Sequence, residues 1–171
     1  MKKRILISVV AVIFLVCTLY FGLRSGYPRP YSEVVEASGV DPLLVYSVMK
    51  AESDFREDVV SRAGAVGLMQ IKPATAEYIC RREGIEFMPD QLTNGAYNVR
   101  LGCLYLSYLL GKFEVGTAIA AYNAGEGTVS EWLKNPEFSS DGRLLEHIPY
   151  PETERYVKKI EKFRKIYDFY Y

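Results

Sequence analysis

From Tyr31 to Asp168 the apolar residues of this chain recur at spacings of three and four, and no stretch sustains the alternation of a strand. Prolines and glycines cut that pattern into short pieces. Tyr31 to Ser38 reads as a short helix stopped by Gly39. Asp41 fits an N-cap and Pro42 a first helical position, where a missing N–H costs nothing. Pro73 opens another helix, PATAEYICRRE, which Gly84 closes. The longest helix is expected over Asn94 to Lys112, with Val99, Cys103, Leu106 and Leu110 on one stripe. A shorter, alanine-rich one follows over Glu114 to Tyr122. After a break at Asn123-Ala124-Gly125 comes a helix carrying Val129, Trp132 and Leu133. Asn135 to Tyr150 is loop-like, and Pro151 opens a last helix to about Asp168, with Tyr156, Ile160, Phe163 and Tyr167 facing inward. The pattern predicts an all-α domain of about seven or eight short helices.

The segment from Asp41 to Gln70 organises the rest. Val45, Val48, Met49 and Glu52 follow one another at helical spacing, so Glu52 continues an apolar stripe. A carboxylate on such a stripe is partly desolvated, which raises its pKa and favours the protonated acid. The same position also suits a salt-bridged carboxylate at the rim of the stripe. Beyond the helix, Ser61 to Gln70 holds Gly64 and Gly67 among small residues, as backbone does where it passes close to something bulky.

The amino terminus is a different kind of segment. Lys2, Lys3 and Arg4 precede Ile5 to Leu23, which carries no charge and spans roughly 28 Å as a helix, near the thickness of a bilayer core. Residues 1–23 read as a membrane anchor or a signal segment, and the bulky end, Leu19-Tyr20-Phe21-Gly22-Leu23, without the small residues a signal peptidase needs, favours the anchor; cleavage would leave a secreted domain. Cys17 follows Phe14-Leu15-Val16, without the small residue expected before a lipidated cysteine. The basic cluster predicts a cytoplasmic amino terminus and a domain outside the membrane. Residues 24–30, RSGYPRP, read as a linker, and residues 31–171 as the folded domain. Without Lys2, Lys3 and Arg4, the balance of 21 basic and 21 acidic residues tilts by three toward acid, which argues against nucleic acid as a partner. One His and no clustered Cys/His spacing argue against a metal site, and no cofactor is implied. Cys80 and Cys103 fit either a disulfide or two buried thiols.

Few chemistries remain. His147, in a loop, has no partner for a Ser-His or Cys-His pair, and the glycines spell no phosphate loop. Carboxylate chemistry is left, with Glu52 the best acid; Asp54, Glu57 and Asp58 lie in a polar, solvated stretch. Four groups of residues then resemble the motifs of lytic transglycosylases with a soluble-lytic-transglycosylase (SLT) domain. The first is Glu52-Ser53 with Phe55, followed by Ser61, Ala63 and Gly67-Leu68-Met69-Gln70. The second is Asn98-Val99-Arg100-Leu101-Gly102 with Tyr105-Leu106. Then come Ala121-Tyr122-Asn123-Ala124-Gly125 with Gly127, Val129 and Trp132, and Ile148-Pro149-Tyr150 with Glu152-Thr153 and Arg155-Tyr156-Val157. They stand in the family's order over about residues 31 to 168.

The resemblance implies a goose-type-lysozyme-like helical fold and a peptidoglycan glycan strand as substrate. It makes Glu52 the sole catalytic acid/base, which protonates the oxygen between N-acetylmuramic acid and N-acetylglucosamine. The sugar's own N-acetyl carbonyl assists, where two-carboxylate glycosidases use a second acid. Glu52 then takes the proton of the muramyl 6-hydroxyl, which closes onto C1 to leave a 1,6-anhydromuramyl end. Gln70 and Tyr122 resemble cleft residues near the acid, Ser61 and Met69 substrate-cleft positions, Asn123 an acetamido-binding residue and Glu152 a further acid near the site. Two other readings stay open: a hydrolytic goose-type lysozyme that positions water with Asp54 or Glu57, and a weakly active wall-binding module. The chain leaves no room for a separate wall-binding domain, so positioning is expected from the membrane anchor or from a membrane-complex partner.

Overall fold

The computed structural model describes residues 2–171, with side chains described from residue 10 onward. The helices are α1 (Lys2–Ser25), α2 (Ser32–Ala37), α3 (Pro42–Glu52), α4 (Pro73–Glu83), α5 (Gly95–Leu110), α6 (Val115–Ala124), α7 (Glu126–Leu133) and α8 (Pro151–Tyr170), with a 3-10 turn at Pro89–Gln91. Among the described residues there is no strand. The segment between α3 and α4 makes only two isolated antiparallel bridges, Val60 with Val66 and Val66 with Ile71.

The helix ends follow from side-chain chemistry. Asp41 accepts from the Leu43 N–H at 3.0 Å, and Asn94 from the Tyr97 N–H at 3.1 Å, so each satisfies a donor that the first turn leaves open. Gly84 closes α4 at φ 65. The expected break after Tyr122 falls later. Asn123 and Ala124 remain helical, and the chain turns at Gly125, whose φ of 92 with ψ of 142 is open to glycine alone.

The alanine-rich α6 is the central element. Thr117 to Ala121 are buried, and α6 packs against α5, α7 and α8. Helix α3 lies along α8, while α5 also packs against α2 and α4. One core joins them, with Tyr46, Met49, Leu68, Leu101, Leu106, Leu109, Ile160 and Tyr167 fully buried. Trp132 is core, edge-on to Tyr150 with ring centroids 4.8 Å apart. Cys80 and Cys103 are buried free thiols rather than a disulfide.

Among the described residues no helix is long and apolar enough to cross a membrane. The membrane-spanning segment expected over residues 1–23 thus finds no support there; part of it, residues 1–9, lies outside the described side chains. Residues 24–30 run along α8. The Tyr27 ring meets Phe163, Tyr167 and Tyr170 at centroid distances of 6.1, 5.5 and 5.9 Å. The hydroxyls of Tyr167 and Tyr171 donate to the carbonyls of Pro28 and Tyr27, each at 3.0 Å. The tyrosine-rich carboxy terminus therefore packs on this segment, away from Glu52.

Candidate active site

Glu52 is the last residue of α3, and the chain leaves it in strained backbone. Asp54 and Phe55 follow at φ 53 and 62, in the left-handed region that costs a side-chain-bearing residue of order 1–3 kcal/mol. What holds the segment there is a set of buried polar contacts. Ser53 Oγ, 1% exposed as a residue, donates to the Leu68 carbonyl at 2.9 Å and ties the end of α3 to the glycine-containing loop. On α5, fully buried Asn98 accepts from the Met69 N–H at 2.8 Å and donates to the carbonyls of Val66 at 2.9 Å and Leu92 at 2.8 Å. The bulky object that Gly67 passes is Asn98: a Cβ at Gly67 would lie 2.4 Å from Asn98 Nδ2. Gly64 meets nothing within 4 Å and serves only a turn, at φ 77.

These contacts shape a cavity of about 450 Å³ lined by Glu52, Ser61, Gln70, Tyr122, Asn123 and Glu152, with Lys72, Thr75 and Tyr105 further along its walls. Six of the seven residues named from sequence thus meet in one place. The Met69 side chain does not join them. It is fully buried against Gly102, and the residue meets the site only through its carbonyl, which accepts from the Tyr122 hydroxyl at 2.8 Å. Gln70, at φ 48, donates from Nε2 to the carbonyls of Val59 at 3.0 Å and Gly67 at 2.9 Å, so it braces the loop while lining the cavity. Ser61 Oγ accepts from the Ala65 N–H at 3.0 Å. Asn123 Oδ1 accepts from Thr153 Oγ1 at 2.8 Å and joins α6 to α8. Glu152 is exposed in the first turn of α8.

Electrostatics sets Glu52 apart. Burial pushes its carboxyl up to about 7, against the opposing pull of a Tyr156 hydrogen bond and the Lys159 charge. The Tyr156 hydroxyl donates to Glu52 Oε1 at 2.6 Å. Asp54 and Glu57 are occupied elsewhere: Asp54 pairs with Lys50 at 2.5 Å, and Glu57 accepts from the Tyr31 hydroxyl at 2.5 Å. Neither lines the cavity, nor do Asp58 and His147. The arrangement can hold a proton near neutrality beside a polar cleft, then release it.

Sequence reasoning placed Tyr156 on the inward stripe of α8 and did not connect it with Glu52. A signal existed: Tyr156 lies four residues after Glu152, on the same helix face. Asn98 carries a signal beyond its motif, because a polar residue amid Gly95, Val99, Leu101 and Gly102 has to find buried partners.

The sequence and the fold both have known relatives. A family model described as the transglycosylase SLT domain matches residues 30–144. The chain is 34% identical over 162 residues to the soluble lytic murein transglycosylase of Escherichia coli, covering 90% of this chain and 24% of that protein. It is 32% identical over 153 residues to the membrane-bound lytic murein transglycosylase C of Actinobacillus pleuropneumoniae, covering 75% of this chain and 42% of that one. The crystal structure of the 70 kDa soluble lytic transglycosylase from Escherichia coli superposes with a TM-score of 0.76 at 28% identity, over 90% of this chain and 26% of the other. The chain therefore spans about a quarter of the soluble relative's length and under half of the membrane-bound one's. With a family model matched over residues 30–144 and a helical fold that superposes on a solved lytic transglycosylase, this chain belongs to the transglycosylase SLT domain family.

Proposed function

We propose that this chain is a peptidoglycan lytic transglycosylase that cleaves the β-1,4 bond between N-acetylmuramic acid and N-acetylglucosamine without consuming water. The observation that carries the reading is a single poised carboxyl, Glu52, held near neutrality by burial in a polar cavity. Glu52 starts protonated and gives its proton to the glycosidic oxygen as the C1–O bond breaks. The muramyl N-acetyl carbonyl stabilises C1 in place of an enzymic nucleophile. Glu52, now a carboxylate, takes the proton of the muramyl 6-hydroxyl as O6 bonds to C1. The proton lost in the first step is regained in the second, and the products are a free 4-hydroxyl and a 1,6-anhydromuramyl end.

Tyr156 holds Oε1 and leaves Oε2 to carry the transferable proton. Tyr122, Gln70 and Asn123 form the polar wall around the acetamido groups, and Ser61, Lys72, Thr75 and Glu152 line the strand's path. Glu52 is the catalytic residue, and residues 31–171 are the catalytic domain. The uncharged run after Lys2, Lys3 and Arg4 supports an anchor over residues 1–23, with the domain on the outer side of the membrane and residues 24–30 connecting the two.

The test is mass spectrometry of the soluble products when the chain digests purified peptidoglycan, with Glu52→Gln alongside. Anhydromuramyl ends from the parent and none from the variant are expected. Products one water heavier from the parent would convert the assignment to a hydrolytic muramidase.

A further inference from the structure

Lys159 belongs to α8, one turn beyond Tyr156, and its Nζ donates to the Ala51 carbonyl at 2.8 Å. Ala51 directly precedes Glu52 in the last turn of α3, where carbonyls lack intrahelical partners and the helix dipole is negative. An ammonium seated there does two things at once. It closes an open carbonyl, and it places positive charge beside the carboxyl that moves the proton.

The groups around Glu52 leave that role to Lys159. From α8, Tyr156 reaches Glu52 with a neutral hydroxyl whose own titration burial drives far upward, and Glu152 lines the outer cavity as an acid. From α6, Tyr122 is partly buried and likewise neutral. On α3 and the turn after it, Lys50 is engaged with Asp54. From the loop before α4, Lys72 lines the cavity wall. Among the described residues, the charge that opposes the effect of burial on Glu52 is that of Lys159.

We propose that Lys159 is a positioning residue for Glu52: it fixes the end of α3 through the Ala51 carbonyl and supplies the field under which Glu52 gives up its proton. This rests on the reading of Glu52 as the acid that then acts as base. A group that donates and then accepts works best when neither protonation state dominates. Burial alone would hold the proton too firmly for the first step, and the ammonium offsets part of that effect. Lys159 is exposed, so its field is also open to screening. The pH window of the reaction then responds to ionic strength.

The test compares the parent chain with Lys159→Met, which keeps the stem, and Lys159→Arg, which keeps the charge. The pH profile of kcat/KM for muropeptide release is measured at low and high salt, and the Glu52 carboxyl is titrated by carbon-13 NMR in labelled protein. In Lys159→Met the alkaline limb and the NMR titration are expected to move up together by about half a pH unit, a roughly threefold change in proton affinity. Lys159→Arg is expected to restore the parent values. Added salt is expected to move the parent's limb toward that of Lys159→Met and to leave the variant's in place. Lower thermal stability with both titrations unmoved would overturn the proposal and reduce Lys159 to a helix cap. A parent that releases no anhydromuramyl product, but whose Glu52 still titrates higher in Lys159→Met, would sink the transglycosylase reading and uphold the electrostatic role.

Discussion

At the scale of a residue, the burial that suits Glu52 to the proposed proton transfer also costs stability. Its carboxyl has a usual value of 4.5 and stands at about 7 in the fold, chiefly through burial. Between those values the native state holds a proton that the unfolded state has released. Stability therefore falls as pH rises through that window and levels off above it. The full difference corresponds to an upper bound of about 3 kcal/mol, reduced by whatever hydration the cavity supplies. Glu52→Gln removes the charge yet keeps an oxygen for the Tyr156 hydroxyl. The variant is expected to exceed the parent by about 1–3 kcal/mol at about pH 8, and to match it within error near pH 4–5. Denaturant unfolding at the two pH values measures this. Equal stabilities at both would mean that Glu52 titrates as an ordinary exposed acid.

At the scale of an element, α5 acts through Asn98 as the seat of the cleft loop. Asn98→Ala leaves the Met69 N–H and the carbonyls of Val66 and Leu92 without their partner, at about 3 kcal/mol. Gly67→Ala is expected to cost about as much, because its left-handed φ of 78 adds to the clash with Asn98. In the double variant the clash with Asn98 is gone, and the left-handed backbone and a 3.0 Å approach to the Leu92 carbonyl remain. The two changes should therefore fall short of additive by about 1–2 kcal/mol in denaturant unfolding. Strict additivity would show that the loop does not rest on Asn98. The elements themselves were largely legible, because Asp41 with Pro42, Pro73 with Gly84, and Asn94 act through neighbours in sequence. The end of α6 was misplaced because asparagine and glycine both mark helix ends, and only Gly125 takes the left-handed backbone here. The cleft was legible from its ordered motifs. The pairing of Tyr156 and Lys159 with the α3 end was not, since those contacts span 104 and 108 residues, and the spacing from Glu152 puts Tyr156 on one face of α8 without naming Glu52 as its partner.

At the scale of the whole molecule, α8 joins two regions that the sequence keeps apart. Its first turns bring Glu152 into the cavity wall and set Thr153 and Tyr156 against Asn123 and Glu52, and its last turns hold residues 24–30 through Tyr167, Tyr171 and the rings around Tyr27. From Tyr156 to Tyr170 the helix runs about 21 Å, so a docked connector would set the cleft roughly that far from the end of α1. A swinging connector would let the cleft roam, and the two arrangements differ in energy as well as reach. Tyr27 contacts three aromatic rings, lies under Lys50 at 5.1 Å, and offers its carbonyl to the Tyr171 hydroxyl. Tyr27→Ala is therefore expected to lower the unfolding free energy of the chain by about 2–3 kcal/mol, with the catalytic pH profile unchanged. A flexible tether would make the same substitution silent in denaturant unfolding. The loss of stability would show that the connector is part of the fold, and that the distance from cleft to α1 is fixed by α8 rather than by the slack of seven residues.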